Sequence, residues 1–234
     1  MRSNRGRRIS ALAFLAVVLA GLMFTQRVAG ASRAVALPAP AVDVKTPNPA
    51  STETAVFAGG CFWGIQSVFQ HVKGVVTATS GYAGGTISKP SYEDVSTGST
   101  GHAESVRVVF DPSQVSYTQL LEVFFGVAHD PTQLNRQGPD VGTQYRSALF
   151  YQSPEQKQMA EAYIDQLNKA HVFRTPIVTQ VAQLKDFYIA EAYHQDYAET
   201  HPSDPYIVIN DAPKVTNLKR QFPTLYSEKL AGHE

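Results

Sequence analysis

Cysteine is nearly absent from this sequence, since Cys61 is the only cysteine among its 234 residues. A single cysteine excludes an intramolecular disulfide, a Cys₄ or Cys₂His₂ zinc site, and an iron–sulfur cluster held by one chain. The protein must therefore fold on an ordinary hydrophobic core. Its length is sufficient for one domain of ordinary size, or for two small ones.

Net charge is also absent, with 20 basic and 20 acidic residues, but the charges are unevenly placed. Residues 1–34 contain six arginines and no acidic residue, which leaves 14 basic against 20 acidic residues in the rest. A nucleic-acid partner requires a basic protein face, and the body of this chain is mildly acidic. We therefore expect no nucleic-acid partner.

The long apolar run at residues 11–24 (ALAFLAVVLAGLMF) is shorter than a membrane-spanning helix of about 20 residues. Four arginines precede it and small residues follow at 28–34, a pattern typical of a secretory signal peptide. We predict that residues 1–34 are a signal peptide and that the protein is exported, to the periplasm or the extracellular space. The alternative is an uncleaved membrane anchor. The arginine pair at 7–8 is only weak support for the twin-arginine export route.

Periodic hydrophobicity is missing from residues 35–52, where alanine and proline are frequent. This composition predicts an extended, solvated linker. The folded domain is expected at 53–227, followed by a flexible tail at 228–234.

Strand and helix patterns alternate along the domain without a glycine-rich dinucleotide fingerprint, which favours an α+β sheet with helices packed on one face. From residue 201 onward the prolines predict a segment that wraps the surface. The predicted strands are 54–58, 75–80, 104–111, 145–151 and 175–181, and the predicted helices are 61–74, 117–127, 154–169 and 190–200, with long loops at 81–91 and 129–142.

Cys61 lies in residues 59–64 (GGCFWG), where a strand is expected to turn into a helix. Backbone N–H groups and the helix dipole at such a turn favour the thiolate over the thiol. The alternative is a small buried hydrophobic residue, which is the common environment of a free cysteine. The position among glycines and large aromatics favours a reactive thiol.

A nucleophilic cysteine needs a partner for proton transfer, and the residues leave two other function classes open. A cysteine hydrolase would use His102, His129 or His194 as its base, although spacing does not select among them. His194 is better explained as a hydrogen-bonded helix residue. A non-catalytic exported binding domain with a buried thiol is the third interpretation. No histidine pair has the spacing of a helical metal site, so we expect no metal.

Several blocks of sequence, in order, resemble the peptide methionine sulfoxide reductases of type A. Together they span about residues 54–225, and the complete set is far more specific than any single block. The blocks are 60–64 (GCFWG), 81–85 (GYAGG), 91–95 (SYEDV), 100–104 (TGHAE), 129–132 (HDPT), 135–147 (NRQGPDVGTQYRS), 193–195 (YHQ) and 205–207 (PYI). The resemblance implies a two-layer α+β sandwich with a ferredoxin-like core, whose sheet is mixed or antiparallel and carries packed helices. Residues 53–227 would then be the reductase domain.

The resemblance also implies a chemistry and a set of site residues. A cysteine thiolate attacks the sulfur of methionine-S-sulfoxide, methionine leaves, and the cysteine becomes a sulfenic acid. Without the resemblance, ordinary structural roles would be preferred for the glutamate and the two tyrosines. The implied roles are nucleophile for Cys61, general acid for Glu104, sulfoxide-oxygen donors for Tyr92 and Tyr145, a further polar site residue for Asp140, and methyl pocket for Phe62 and Trp63.

The chain departs from the family pattern in two places. Many members have a glutamate where this chain has Gln66, from which we expect only a small electrostatic change. Many also have a second, resolving cysteine near the carboxyl terminus, which this chain lacks. An external thiol, either a thioredoxin-like protein or a small thiol, must therefore reduce the sulfenic acid of Cys61. We expect no bound cofactor, oxidised proteins, peptides and free methionine sulfoxide as substrates, and a monomer.

Overall fold

The computed structural model describes residues 36–44 and 51–233. The predicted signal peptide lies outside these described residues. The strands are β1 (Glu53–Gly59), β2 (Val75–Ala83), β3 (Ala103–Phe110), β4 (Arg136–Gln137), β5 (Asp140–Val141), β6 (Ser147–Tyr151), β7 (Gln180–Gln183) and β8 (Phe187–Ile189). The α-helices are α1 (Phe62–Gln70), α2 (Tyr92–Ser96), α3 (Tyr117–Val123), α4 (Pro154–Lys169), α5 (Tyr197–Thr200) and α6 (Ala212–Gln221).

The main sheet has the strand order β7-β6-β1-β3-β2-β8. All neighbouring pairs are antiparallel except β6 and β7, which are parallel. The chain order β1-α1-β2-β3-α3-β6, with β6-β1-β3-β2 side by side, is a ferredoxin-like arrangement. The predicted α+β fold class is therefore confirmed.

The hydrophobic core lies between the sheet and helices α1 and α3. Apolar residues at helical spacing place one face of α1 on the sheet, including the fully buried Ile65 and Phe69. The ring of Phe57 on β1 stacks on Phe69 at 4.6 Å and contacts Phe124 at 5.1 Å between centroids. A smaller cluster around Phe150 covers the opposite face of the sheet. Both faces of the central strands are therefore buried.

The strand predicted at 145–151 begins two residues later, at Ser147, because Thr143–Tyr145 forms a 3₁₀ turn. The strand predicted at 175–181 lies at Gln180–Gln183 instead. The predicted loop at 81–91 is shorter, since β2 continues to Ala83. Helix α2 within 91–96 was not predicted, although its Ser91 cap is visible in the sequence as the start of a capping box.

The prediction of one continuous helix at 190–200 is wrong. The segment forms a 3₁₀ turn at Ala192–His194 and the separate short helix α5. Asp196 between them has a φ of 55°, which breaks a continuous helix. The side chain of Gln195 instead binds the backbone of Ser80 on β2 through both its oxygen and its nitrogen.

The carboxyl-terminal segment does not simply wrap the surface as predicted. A π-helical turn at Ile207–Asp211 continues into α6, which packs against α1. Leu218 is fully buried in the core, so this helix belongs to the domain. Pro213 lies in the first turn of α6, where a missing N–H costs little.

Part of the predicted solvated linker is packed against the domain. Tyr163 on α4 donates to the carbonyl of Pro38, and both polar atoms of Gln166 bind the backbone of residues 39 and 41. Residues 228–233, in the predicted flexible tail, also hydrogen-bond to the domain through Ala78 and Gln70. The apolar side chains at 37, 42 and 44 explain the first contact, since they pack on the core.

Candidate active site

Cys61 lies at the end of β1 and is the N-cap residue of α1. The preceding Gly60 has a φ of 101°, and a Cβ there would meet Gln137 side-chain atoms at 2.6 Å and 2.7 Å. Only glycine fits this bend without strain. The strand-to-helix turn predicted from the sequence is therefore present, and it leaves Cys61 buried with 8% of its surface exposed.

The expected preference for thiolate does not hold in the resting site. Burial raises the pKa of Cys61 well above its ordinary value, and the nearby carboxyls of Glu104 and Asp211 raise it further. The backbone N–H of Trp63 and the ammonium of Lys214 act in the opposite direction. The helix start does favour the anion, but desolvation outweighs it. Cys61 is therefore a thiol before a substrate binds.

Glu104 enters the site because β1 and β3 are antiparallel, which places the beginning of β3 beside the end of β1. Its side chain is 3% exposed, and one carboxyl oxygen accepts a hydrogen bond from the N–H of Phe62 at 3.0 Å. Burial raises the pKa of Glu104 to about 8, against the opposing effect of that N–H group. At neutral pH this carboxyl holds a proton, as a general acid must.

Two tyrosines share this environment. Tyr92 begins α2, where its backbone N–H binds Glu191 at 2.8 Å, and Tyr145 ends the 3₁₀ turn before β6. Burial raises the pKa of both hydroxyls, and Glu104 and Cys61, when ionised, raise it further. Both phenols therefore stay protonated and available as hydrogen-bond donors near the sulfur and the acid.

Asp140 on the two-stranded β4–β5 ribbon accepts a hydrogen bond from the hydroxyl of Tyr206. Burial raises the pKa of Asp140, whereas this hydrogen bond lowers it. Burial raises the pKa of Tyr206, and Cys61 and Asp211 raise it further, which places that hydroxyl in the same group. Sequence reasoning did not select Tyr206, although it lies in the PYI block at 205–207.

Phe62 and Trp63 form an aromatic wall beside Cys61. Phe62 is 1% exposed, and its ring lies 5.0 Å from that of His194. Trp63 stacks on Tyr197 at 3.8 Å and meets Tyr206 edge-on at 5.9 Å between centroids. Such a wall suits an apolar group of a ligand, while the hydroxyls described above suit an oxygen.

The histidines considered as bases have other roles. His102 binds the backbone of Gly85 and Ile87 through its two nitrogens, and His129 binds the carbonyl of Phe124 and the hydroxyl of Ser147. Neither ring has a nitrogen left for Cys61.

His194 lies in the site but not in a continuous helix. Its Nδ1 accepts a hydrogen bond from the indole N–H of Trp63 at 3.2 Å, and its ring lies 4.5 Å from that of Tyr92. Burial lowers the pKa of His194, so the ring is neutral. His194 therefore supports the aromatic wall. The YHQ block indicated that His194 matters, but it did not indicate the hydrogen bond with Trp63.

Gln66 has a more specific role than the small electrostatic effect expected from it. Its amide nitrogen donates to the carbonyl of Ala78 and to Gln195, at 2.9 Å and 3.0 Å. Its oxygen accepts from Ser80 and from the backbone of Asp196. A glutamate could not make the two donor bonds, so the amide joins α1 to β2.

Sequence reasoning also missed the buried pair Asp211 and Lys214, whose charges act on Cys61. Their signal was the spacing of residues 207, 211, 214 and 218, which lie on one helical face. In the described part of the chain, no group of three or more histidine, cysteine or acidic side chains could hold a metal. Nor is any helix of these residues long and apolar enough to cross a membrane.

Comparison with known sequences gives one consistent result. The profile of the family described as peptide methionine sulfoxide reductase matches residues 53–225. The "Peptide methionine sulfoxide reductase MsrA 2" of Mesorhizobium japonicum is 62% identical over 76% of this chain and 91% of its own length. The "Peptide methionine sulfoxide reductase MsrA" of Deinococcus radiodurans is 52% identical over 77% of this chain and 85% of its own length.

Solved structures agree with the sequence comparison. Reduced Mxr1 from Saccharomyces cerevisiae matches with a TM-score of 0.62 and 32% identity, over 70% of this chain and 94% of that one. Methionine sulfoxide reductase A of Corynebacterium diphtheriae matches with a TM-score of 0.58 and 37% identity, over 75% and 88%.

Proposed function

The chain belongs to the peptide methionine sulfoxide reductase family, and on this basis we propose how its own residues perform the reaction. It is an oxidoreductase of the type A class, which reduces methionine sulfoxide. Cys61 is the nucleophile and Glu104 is the general acid. The observation that carries this assignment is the buried Glu104 carboxyl, held by the Phe62 N–H with a pKa of about 8.

The substrate sulfoxide binds with its methyl group against Phe62 and Trp63 and its oxygen toward Tyr92 and Tyr145. This arrangement distinguishes the two sulfoxide epimers by shape, and it accepts the S epimer. Glu104 protonates the oxygen, which is otherwise a poor leaving group on sulfur. The sulfur of Cys61 attacks the substrate sulfur, its proton joins the departing hydroxyl, and that oxygen leaves as water while a sulfur–sulfur bond forms. Water then attacks the sulfur of Cys61, methionine leaves with the electrons of the sulfur–sulfur bond, and the proton that the water loses returns to Glu104. In sum, the thiol and the sulfoxide become a sulfenic acid and methionine.

Regeneration requires an external thiol reductant, because the sequence contains no second cysteine to form an intramolecular disulfide. One thiol condenses with the sulfenic acid of Cys61 and releases water. A second thiol then attacks this mixed disulfide, restores the Cys61 thiol and leaves an external disulfide. We assign this role to a thioredoxin-like protein or a small thiol. No bound cofactor takes part, and the enzyme acts as a monomer.

We further propose that the enzyme repairs oxidised exported proteins, and that it also reduces free methionine sulfoxide. The support for export is the arginine-flanked apolar run within residues 1–34. Intact-mass measurement of protein recovered from the periplasm or the medium tests this proposal. Loss of the mass of about 34 leader residues is expected, and an unprocessed chain in the membrane fraction would instead indicate an anchor.

A single-turnover experiment tests the chemistry. Mixed with excess methionine-S-sulfoxide and no thiol, the purified protein should release one methionine per chain and gain one oxygen on Cys61. The R epimer is the matched control and should give no methionine. Retained turnover in Cys61→Ser would disprove the assignment of the nucleophile. Equal turnover with both epimers would disprove the role given to the aromatic wall.

A further inference from the structure

Asp211 and Lys214 form a buried ion pair that the proposed chemistry does not use. The Lys214 Nζ lies 2.9 Å from a carboxyl oxygen of Asp211, and the two side chains are 6% and 1% exposed. Asp211 ends the π-helical turn, and Lys214 lies one turn later on α6. The pair thus sits on the buried face of the carboxyl-terminal helix that packs against α1.

The pair touches the first turn of α1. A Cβ on Gly64 would lie 2.1 Å from the Oδ1 of Asp211 and 2.8 Å from the Nζ of Lys214, so glycine is required there. Gly64 follows the N-cap Cys61 by three residues. The ion pair is therefore fixed against the helix turn that carries the sulfur.

Stability is a poor explanation for this pair. Removing two charges from water costs several kcal/mol per ion, and apolar residues of similar volume are often as good or better. The cost is higher here, because the second carboxyl oxygen of Asp211 is buried and has no hydrogen-bond partner in the described residues. A buried pair with an unsatisfied oxygen is better explained by its effect on a neighbouring group.

That neighbouring group is Cys61, and the two charges act on it in opposite directions. Asp211 raises its pKa, and Lys214 lowers it. Lys214 is also the cation that acts on Asp140 and Asp211. The charges that act on Cys61 are those of Glu104 on β3, Asp211 and Lys214. The charge of Cys61 in turn acts on the hydroxyls of four tyrosines, Tyr92, Tyr145, Tyr197 and Tyr206. Asp140 on β5 and His194 contact members of this group, Tyr206 and Tyr92 respectively.

We propose that the Asp211–Lys214 pair is a positioning element that sets how readily the Cys61 thiol ionises. Lys214 stabilises the thiolate when the sulfur attacks, and Asp211 limits that effect so that the resting sulfur stays a thiol. A resting thiol is protected from non-specific oxidation, since oxidants react with the thiolate. The proposal rests on Cys61 being the nucleophile, but its test below does not depend on reductase turnover.

Alkylation of Cys61 as a function of pH tests the proposal, because no other cysteine is present to react. The midpoint of the rate profile with iodoacetamide gives the apparent pKa of the thiol. Asp211→Asn should move the midpoint down, and Lys214→Met should move it up. For each pKa unit, the rate below the midpoint should change about threefold, because the tenfold change in thiolate is partly offset by altered nucleophilicity. The exposed Lys219→Met on the same helix is the matched control and should leave the midpoint unchanged.

The two single variants are expected to shift the alkylation midpoint in opposite directions, and this distinguishes an electrostatic role from a structural one. A loosened fold would expose Cys61 and shift both single variants in the same direction, which would overturn the proposal, as would two unchanged midpoints. If either single variant does not fold, Asp211→Asn combined with Lys214→Met removes both charges. Its midpoint should differ from that of the wild type by less than the midpoint of the single variant that does fold, because two opposite effects are removed together. A larger shift in the double variant than in that single variant would refute the proposal. If the alkylation midpoints shift as expected but the wild-type protein shows no reductase turnover, the proposed function is refuted and the role of the ion pair still holds.

Discussion

Replacing Glu104 with glutamine removes the acidic proton of the side chain but keeps its shape. Glutamine retains an oxygen that can accept the Phe62 N–H, but it has no acidic proton. Because burial raises the pKa of Glu104 to about 8, the wild-type carboxyl carries its proton at neutral pH and loses it above about pH 8. A positioned general acid contributes about 10²–10⁴-fold in rate. We expect methionine formation by Glu104→Gln at pH 7 to be slower by about this factor.

The assay is a rapid-mixing single turnover without thiol, with methionine quantified at pH values from 6 to 10. The wild-type rate should fall as the pH rises through about 8, and the residual rate of Glu104→Gln should lack this fall. Glu161→Gln, at an exposed position on α4, is the control and should match the wild type. Wild-type rates in Glu104→Gln at pH 7 would refute the general-acid role.

The same variant makes an independent prediction about stability. Between pH 4.5 and 8 the folded state binds more protons at Glu104 than the unfolded state, so wild-type stability falls as the pH rises through this range. At about 1.4 kcal/mol per pKa unit, the buried carboxylate destabilises the fold by at most about 4–5 kcal/mol above pH 8. Glu104→Gln should therefore resist urea more than the wild type at pH 9, with the difference disappearing near pH 4. A less stable variant at pH 9 would contradict the burial argument.

Three further substitutions test the local geometry. Gly60→Ala should lower the free energy of unfolding by about 1–3 kcal/mol in urea titrations, because of its positive φ, whereas Gly232→Ala, which meets nothing within 4 Å, should change it by less than about 0.5 kcal/mol. Tyr206→Phe removes the hydrogen bond to Asp140, so the pKa of that carboxyl should rise further, seen as a shifted carboxyl resonance in an NMR titration. Trp63→Phe loses the indole N–H and part of the wall, and it should raise KM more than it lowers kcat in a dithiothreitol-coupled assay.

The sequence was sufficient for those parts of the fold that depend on local patterns. Hydrophobic spacing predicted β1, and it predicted α1 starting at Cys61, because the residues that define these elements are contiguous. The same reasoning failed at residues 190–200, where the side chain of Gln195 makes hydrogen bonds to β2 and the chain does not form a continuous helix. The prediction of a surface-wrapping segment after residue 201 was wrong at α6, because Pro213 lies in the first turn of that helix, where proline is tolerated.

The site itself combines local and distant contributions. The residues around Cys61 in the chain could be selected as soon as the GCFWG block was recognised. The contact between Asp140 and Tyr206 joins residues 66 positions apart, and no periodicity indicates it. The effect of burial on ionisation was equally hidden, because the helix start predicts a thiolate, whereas desolvation by distant segments yields a thiol.

The protonation state of the site distinguishes reduction from hydrolysis. A cysteine hydrolase needs a basic group that removes the thiol proton. His194, the histidine that contacts Phe62 and Trp63, accepts the Trp63 N–H through Nδ1, and burial lowers its pKa. The site instead holds a thiol and a carboxylic acid, Cys61 and Glu104, both protonated at neutral pH. A sulfoxide oxygen can take a proton from that acid, which makes the substrate sulfur electrophilic as the thiol loses its own proton. Burial therefore supplies an acid where hydrolysis would require a base, and the same desolvation that suppresses the free thiolate equips the site for sulfoxide reduction.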